Sequence, residues 1–482
     1  MSDILLSPVN DYSKKIYSGP SYRVSKLVPL NGSQKITLTQ TSTQNVQFEF
    51  PTTCFNPAKS KLVFDISIPA LAAANTWIYA DPLALFDRIQ FYTRSGVSLV
   101  DIQGANNFSS IVTPLQTPTS DLLQRSFGGM THAGLTPVTV NTATATDSIL
   151  CPVQGIQVFN NSAATNYRYD DSSASTSTAE INYNEQRYMF NSANAGNMCL
   201  SYQINLEELS HTILAINKDL YFGENMILSL TFCPHQKFTW STIYNVSPFP
   251  GGDATGGANG PKAISDTAVG ANGATGVVVT NMSLYLQVET NRNIVDGLIE
   301  KCRSAEGFSL LVPFVYPQKT NTGSGSANSS IFFRMNKGHG KSLLRAYWGL
   351  FNNVETLNST LDRSNSTNGK ITDLRTTINT LNLQEFTMTS NNSLDWLVNA
   401  ENIEGSSILS IDQYKYLMCN IDDFSCQKPL CACDDTLECG KKLDEEQTYG
   451  VYCTTASGQY NHYLFLVVQR ELRISGGQIM FV

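Results

Sequence analysis

Charge is scarce in this chain. Of its 482 residues, 32 are Lys or Arg and 40 are Asp or Glu, so 15% are charged, against about 25% in an average globular protein. The net charge is −8 and no run of Lys or Arg stands near either end, so no basic arm for neutralising nucleic-acid phosphates is expected. No stretch approaches the ~18 consecutive apolar residues of a membrane-crossing helix, so no membrane span is expected. Residues 1–8 lack a basic segment followed by an apolar stretch, so no secretory signal is expected there. On that reading the sequons Asn31-Gly-Ser33 and Asn358-Ser-Thr360 stay unmodified, and most of the 11 cysteines are free thiols in a reducing compartment.

Catalytic signatures are missing as well. The five histidines, His132, His211, His235, His339 and His462, lie far apart and form no H-x-x-x-H pair. An isolated His is more often a hydrogen-bonded structural residue than a ligand. Gly338-His-Gly340-Lys341-Ser342 has the Lys-Ser of a phosphate loop but lacks the preceding Gly at the required spacing. Gly323-Ser-Gly-Ser sits in a polar stretch without the strand-to-helix context of a nucleophile elbow. The carboxylates at Asp170-Asp171, Asp422-Asp423 and Asp434-Asp435 are sequence neighbours, and adjacent acids are usually solvated rather than set across a cleft. Aromatic residues, 10% of the chain, do not interleave with basic ones as a nucleic-acid platform requires. The residues assign no catalytic, cofactor or metal site, and no enzyme is expected.

What the chain has in abundance is alternation. Apolar residues recur at every second position in Val46–Phe50, Leu62–Ile68, Met282–Val288 and Phe308–Phe314, the period of a half-buried strand. Ile89–Tyr92, a Gly-containing turn at Arg94-Ser95-Gly96, and Val97–Leu99 read as two joined strands. Tyr463–Val468 is apolar on both faces and predicts a fully buried strand. Helical spacing is confined to short pieces: one around Leu206–Leu214, one through Ile294, Val295, Leu298, Ile299 and Cys302, and one at Leu394, Leu397 and Val398. Asn107–Leu123, with Pro114 and Pro118, reads as a connector, and 160–180 as a long surface loop.

Single hydrophobic cores stop growing near 250–300 residues, so two domains are expected. Residues 246–276 carry eight glycines, a composition that buries too little apolar surface to offset its ordering entropy. The expected division is an irregular arm at 1–35, a first β-domain at 36–245, a linker or loop at 246–276, and a second β-domain at 277–482. Each half holds about the eight strand segments of a jelly roll. The fold class is therefore all-β, two eight-stranded jelly rolls with short helices in the connections.

Five stretches carry a family likeness. They are Phe86-Asp-Arg-Ile-Gln-Phe-Tyr-Thr-Arg-Ser-Gly-Val-Ser-Leu99, His211-Thr-Ile-Leu-Ala-Ile-Asn-Lys-Asp-Leu-Tyr-Phe222, Arg345-Ala-Tyr-Trp-Gly349, Leu381-Asn-Leu-Gln-Glu-Phe386 and Tyr460-Asn-His-Tyr-Leu-Phe-Leu-Val-Val-Gln-Arg-Glu-Leu472. With their order and spacing from about residue 20 onward, the chain resembles the double jelly-roll major capsid proteins of polinton-like viruses and virophages. None of these motifs carries chemistry. The resemblance implies a homotrimer whose six jelly rolls tile an icosahedral shell, with minor capsid or penton proteins as partners. It also implies assembly inside the host cell and residence in the virion. Two other readings of the residues stand beside it: a glycan-binding adhesin or lectin-like module, and a carbohydrate-active enzyme with two carboxylates in a groove.

One cluster remains open. Cys426, Cys431, Cys433 and Cys439 fall in a polar loop between strands expected to end near Asp423 and to restart near Tyr449. Four thiols so close can bind zinc, pair as disulfides or stay free. Their spacing departs from the C-x2–4-C pairs usual for zinc. Cys431 and Cys433 are poorly placed for each other, so a bridge would join one of them to Cys426 or Cys439.

Overall fold

A computed structural model of the chain describes residues 20–30, 35–39, 41–68, 75–79, 82–116, 137–142, 145–150, 155–158, 198–237, 239–242, 262–263, 277–321, 328–338, 340–352, 371–389, 395, 419–425, 440–443, 447–455 and 460–481. The first strands are β1 (Tyr22–Leu27), β2 (Lys35–Leu38), β3 (Gln44–Phe50), β4 (Phe55–Ile68), β5 (Asn75–Tyr79), β6 (Phe86–Thr93) and β7 (Ser98–Gln103). After helix α1 (Ala105–Gln116) come β8 (Pro137–Thr142), β9 (Ala145–Leu150), β10 (Gly155–Val158), β11 (Met198–Asn205), β12 (Met226–Phe232), β13 (Thr239–Thr242), β14 (Lys262–Ala263) and β15 (Val277–Glu289). Helix α2 (Arg292–Arg303) leads into β16 (Phe308–Asn321), β17 (Asn328–Arg334), β18 (Ser342–Asn352), β19 (Ile371–Ile378), β20 (Leu381–Asn382) and β21 (Met388–Thr389). The chain closes with β22 (Cys419–Asp423), β23 (Lys441–Lys442), β24 (Thr448–Thr455), β25 (Tyr460–Ser475) and β26 (Gln478–Phe481).

Pairing sorts these strands into two jelly rolls. One sheet of the first roll runs β1-β15-β4-β11, with β2 also on β15, and the other runs β3-β12-β6-β7. If β1 and β2 count as one interrupted strand, the orders are 1-8-3-6 and 2-7-4-5. The second roll repeats both orders, in β16-β25-β18-β22 and β17-β24-β19-β20, with β23, β26 and β21 as short additions. All the pairings are antiparallel, so each sheet keeps one face for the core of its roll. A further small sheet, β10-β5-β13-β14, draws on three different connections of the first roll, which therefore leave that roll at one end.

The alternating residues supply the cores. Val46, Phe48 and Phe50 of β3 and Leu62, Phe64 and Ile66 of β4 are buried, as are Leu284 and Leu286 of β15. Phe64 stacks on Tyr202 at 5.5 Å, and Phe86 meets Phe232 at 4.7 Å. Each such ring contributes roughly 1.5–3 kcal/mol by leaving water. Gly96, at φ +99°, makes the expected turn between β6 and β7.

Four sequence expectations change. Tyr22–Leu27, inside the expected irregular arm, is an edge strand paired with β15 through its backbone; its side chains are exposed or half-buried, so little alternation marks it. The glycine-rich stretch, expected as the boundary, falls inside the first roll, because β15 beyond it inserts between β1 and β4. A long insertion between two strands of one sandwich and a linker between two sandwiches have the same composition. The crossing between rolls is made instead by α2, N-capped by Asn291, with Leu298 and Cys302 buried as its spacing predicted. The connector at Asn107–Leu123 is helical up to Gln116, with Pro114 in the last turn, where its missing N–H removes one i→i−4 bond close to the point at which the helix ends. The helical piece at Leu206–Leu214 is two single 3-10 turns, Leu206–Glu208 and Ile213–Ala215. The Leu394–Val398 stripe and the 160–180 loop lie outside the described residues.

Candidate functional site

The two rolls meet along a buried seam, and strand alternation builds it. In β18, Arg345 and Tyr347 leave the sheet on the face opposite Ala346 and Trp348. In β25, Tyr463 and Phe465 do the same. That outer face meets α1 and the 206–216 turns of the first roll. Phe108 of α1 lies 4.9 Å from the Phe465 ring and 5.7 Å from that of Tyr347. Gly349 lets α1 approach, since a β-carbon there would stand 2.6 Å from Ile111 Cδ1. Gly104, at φ +69°, faces the Tyr463 ring in the same way at 3.5 Å.

A polar chain crosses this apolar ground. Arg345, fully buried, donates from Nε to Asp423 Oδ1 at 3.0 Å and from Nη1 to the Tyr347 hydroxyl at 3.3 Å. That hydroxyl lies 2.9 Å from His211 Nε2. The Tyr347 hydroxyl, accepting from Arg345, thus links that guanidinium to the His211 ring. Burial, and then the Arg345 charge, push the His211 pKa well below its usual range, which holds the ring neutral. His211 also sits at φ +63°, a conformation rare outside glycine. Removing one partner of a buried pair such as Arg345–Asp423 costs about 3–5 kcal/mol.

Asp422, the neighbour of Asp423, points the other way, between the sheets of the second roll. It accepts from Thr376 at 2.8 Å, Gln384 at 2.6 Å, Asn420 at 3.2 Å and Tyr449. Burial raises its pKa and these donors pull it back. This pair of acids thus lies inside the fold and not in solvent as expected, split by alternation into a core acceptor and a seam ion pair.

The remaining candidates take ordinary places. His235 is buried, its backbone N–H bonded to Thr39, and His462 packs on Trp348 at 5.7 Å. Gly338 ends a 3-10 turn that runs through Lys341 into strand β18, not into a helix, so no phosphate cradle forms there. Cys54, Cys233, Cys302, Cys419 and Cys453 are buried free thiols. Cys426, Cys431, Cys433 and Cys439 lie outside the described residues, as do Gly323–Ser326, His132, His339, Asp170-Asp171 and Asp434-Asp435. No helix among the described residues is long and apolar enough to cross a membrane.

Two surface features stand out. An open cleft of about 430 Å³ lies on the first roll, where the register of β15 against β4 shifts between Thr280 and Ser283. It is lined by Lys26, Gln203, Asn281 and Tyr285, and its one carboxylate is Asp65; paired-carboxylate hydrolysis needs two. Large apolar side chains are also exposed in two groups. Val24, Val28 and Leu30 lie along and just beyond β1, while Phe332, Leu381 and Phe386 lie on and beside the 2-7-4-5 sheet of the second roll. Phe332 meets Tyr452 at 5.7 Å, and Arg375 covers that Tyr ring at 4.9 Å.

The seam was missed by reading the sequence. Many of its residues fall in three of the stretches that carry the family likeness, His211 in one, Arg345, Tyr347 and Gly349 in another, Tyr463 and Phe465 in a third, and the usable signal was a strand, β18, with Arg, Tyr and Gly alternating against apolar residues.

No protein-family model and no curated protein sequence matches the chain. Solved structures do. The crystal structure of the mavirus major capsid protein superposes with a TM-score of 0.52 at 9% identity, covering 98% of this chain and 93% of that one. A chain of the Sputnik virophage cryo-EM structure gives 0.51 at 12%, covering 98% and 91%. The Faustovirus major capsid protein gives 0.51 at 10%, covering 97% and 92%. At such identities the likeness is one of architecture: from end to end, this chain has the double jelly-roll fold of these viral proteins.

Proposed function

We propose that this chain is a viral major capsid protein, a structural subunit without enzymatic activity that trimerises into pseudo-hexagonal capsomers and builds an icosahedral shell. The observation that carries the proposal is the pairing of two rolls of identical strand order through one buried seam. Three such chains around an axis present six similar units, and a rotation that closes buries each heterologous contact. The exposed apolar groups support this, since each roll bears one and apolar clusters on a surface mark contact sites. The chain's partners are then its own copies, neighbouring capsomers and minor capsid or penton proteins, and its place is the virion. Nucleic acid is not a direct sequence-specific partner, in keeping with the net charge of −8.

Expression of the full chain, followed by sedimentation analysis and negative-stain microscopy, tests the proposal. The expected species is three times the 52.9 kDa chain mass, or particles built from it. A stable monomer at micromolar concentration would refute it. A second reading, a glycan-binding module, has one observation in its favour, the Tyr285–Asn281–Lys26 cleft. A small oligomer that binds a glycan panel and forms no particles would favour it.

A further inference from the structure

The seam joins unlike surfaces of two like units. The first roll contributes α1 and the 206–216 turns, and the second contributes the outer face of its 1-8-3-6 sheet. On that face the row Ile421–Tyr347–Phe465 crosses β22, β18 and β25, and Tyr347 and Phe465 are at 0% exposure. The matching sheet of the first roll has the same strand order, and its outer-face row Gln203–Val63–Ser283 crosses β11, β4 and β15. Here the row lines the open cleft of about 430 Å³ instead. Val63, Gln203 and Tyr285 stay half-buried, and Lys26 and Val28, which also line it, are exposed.

A contact between unlike surfaces leaves one of each unused, and the series ends only when a ring closes on itself. Within one chain the two left over are the cleft face of the first roll and the second roll's connection from β20 to β22, the counterpart of α1 in strand order. We propose that the cleft face is the contact between copies, covered by the second roll of a neighbouring chain. The inference rests on the trimer proposed above and says which surface makes it. Three copies close a ring of six rolls when these two surfaces meet. The chemistry fits a face that stands in water until assembly. Asn281 donates to Asp65 at 2.6 Å, and Lys26 lies 5.8 Å from the centre of the Tyr285 ring. Val28, 52% exposed, adds apolar surface beside them. Tyrosine and apolar groups inside a polar rim are the usual make-up of a surface that meets its partner after folding. The seam within the chain, by contrast, has Arg345, Tyr347 and Phe465 fully buried. On this reading the cleft is filled by protein and takes no glycan.

The test sediments the full chain beside Val63→Arg, which sets a cation in the middle row of the cleft. Gln90→Arg, at a half-buried position of β6 in the other sheet of the same roll, is the control. The parent and Gln90→Arg are expected as trimers. Val63→Arg is expected as a folded monomer of 52.9 kDa, its association weakened at least about 100-fold, the cost of leaving an unpaired charge in an interface. Circular dichroism melts check that it folds. Footprinting of the parent with an amine-acylating reagent needs no variant. In the trimer Lys26 should react at least about ten-fold more slowly than Lys337 and Lys442, although all three are exposed in the single chain. A Val63→Arg chain that trimerises with the parent's affinity, or a Lys26 that reacts as fast as those two, overturns the inference and leaves the capsid reading standing. A parent that stays monomeric at micromolar concentration overturns both. Glycan binding by the assembled parent that Val63→Arg abolishes overturns the inference as well.

Discussion

His462 gives the fold a measurable sensitivity to acid. It sits in β25, between β16 and β18, fully buried, and neither ring nitrogen meets a hydrogen-bond partner among the described residues. Burial lowers its pKa from 6.5 to about 4. The folded chain therefore favours the neutral ring, whereas the unfolded chain takes up a proton near pH 6.5. Its contribution is complete above pH 6.5, falls as the medium is acidified, and levels off below pH 4. With those two values the loss is about 2 kcal/mol at pH 5 and about 3 kcal/mol below pH 4, a sizeable part of the roughly 5–15 kcal/mol that holds a domain folded. The perturbation is His462→Leu, which keeps an apolar side chain against Trp348 and cannot titrate. The variant should match or exceed the parent at pH 7.5, and its advantage should grow by about 2 kcal/mol at pH 5, roughly 4–8 °C in thermal midpoint. Melts of the same oligomer at pH 7.5, 6 and 5, followed by circular dichroism, read this directly. His211, also pushed down by burial and by Arg345, acts in the same direction in both proteins, so the difference isolates His462. A gap that stays constant from pH 7.5 to 5 would refute the reasoning.

Asp422→Ala should cost about 3–5 kcal/mol in urea unfolding, because the donors of Tyr449, Gln384 and Asn420 lose their buried acceptor. Asp422→Asn, which keeps one carbonyl acceptor, should cost less. Gly349→Ala puts a β-carbon 2.6 Å from Ile111 Cδ1, so about 1–3 kcal/mol of overpacking is expected; adding Ile111→Ala should return part of it in thermal melts. Phe332→Asp, at a side chain 55% exposed, should leave the melting of the unassembled chain within about 0.5 kcal/mol while sedimentation shows the oligomer lost. For Cys426, Cys431, Cys433 and Cys439, thiol counting on denatured particles with and without reductant, plus elemental analysis for zinc, separates the three states. All 11 thiols reacting without reductant, and no zinc, would leave only free cysteines.

Local strand signals were legible wherever a strand buries one face and shows the other. Val46–Phe50 and Leu62–Ile68 alternate because the two sheets of the first roll close on a single core. Tyr463–Val468 was legible for a different reason. Its run of apolar residues on both faces predicted full burial, and Leu464 to Val468 are all at 0% exposure. Strands that live by backbone pairing alone left no such trace, which is why Tyr22–Leu27 passed for an irregular arm.

Register across long insertions was not legible at all. β15 returns to the first roll after residues 246–276, and no local pattern says which sheet a strand of Leu and Val will join. What decides it is the vacant position between β1 and β4, a property of the whole roll. The same holds for the seam. Tyr463 and Phe465 declare that something covers the outer face of β25, but only the meeting of α1 with β18 shows that the cover is the other roll. An apolar outer face on β25, a glycine at 349 and a buried arginine at 345 then belong to one requirement. Two sandwiches, each able to close its own core, are joined by a third core between them, and that core holds the buried Arg345–Asp423 pair and the Tyr347–His211 contact.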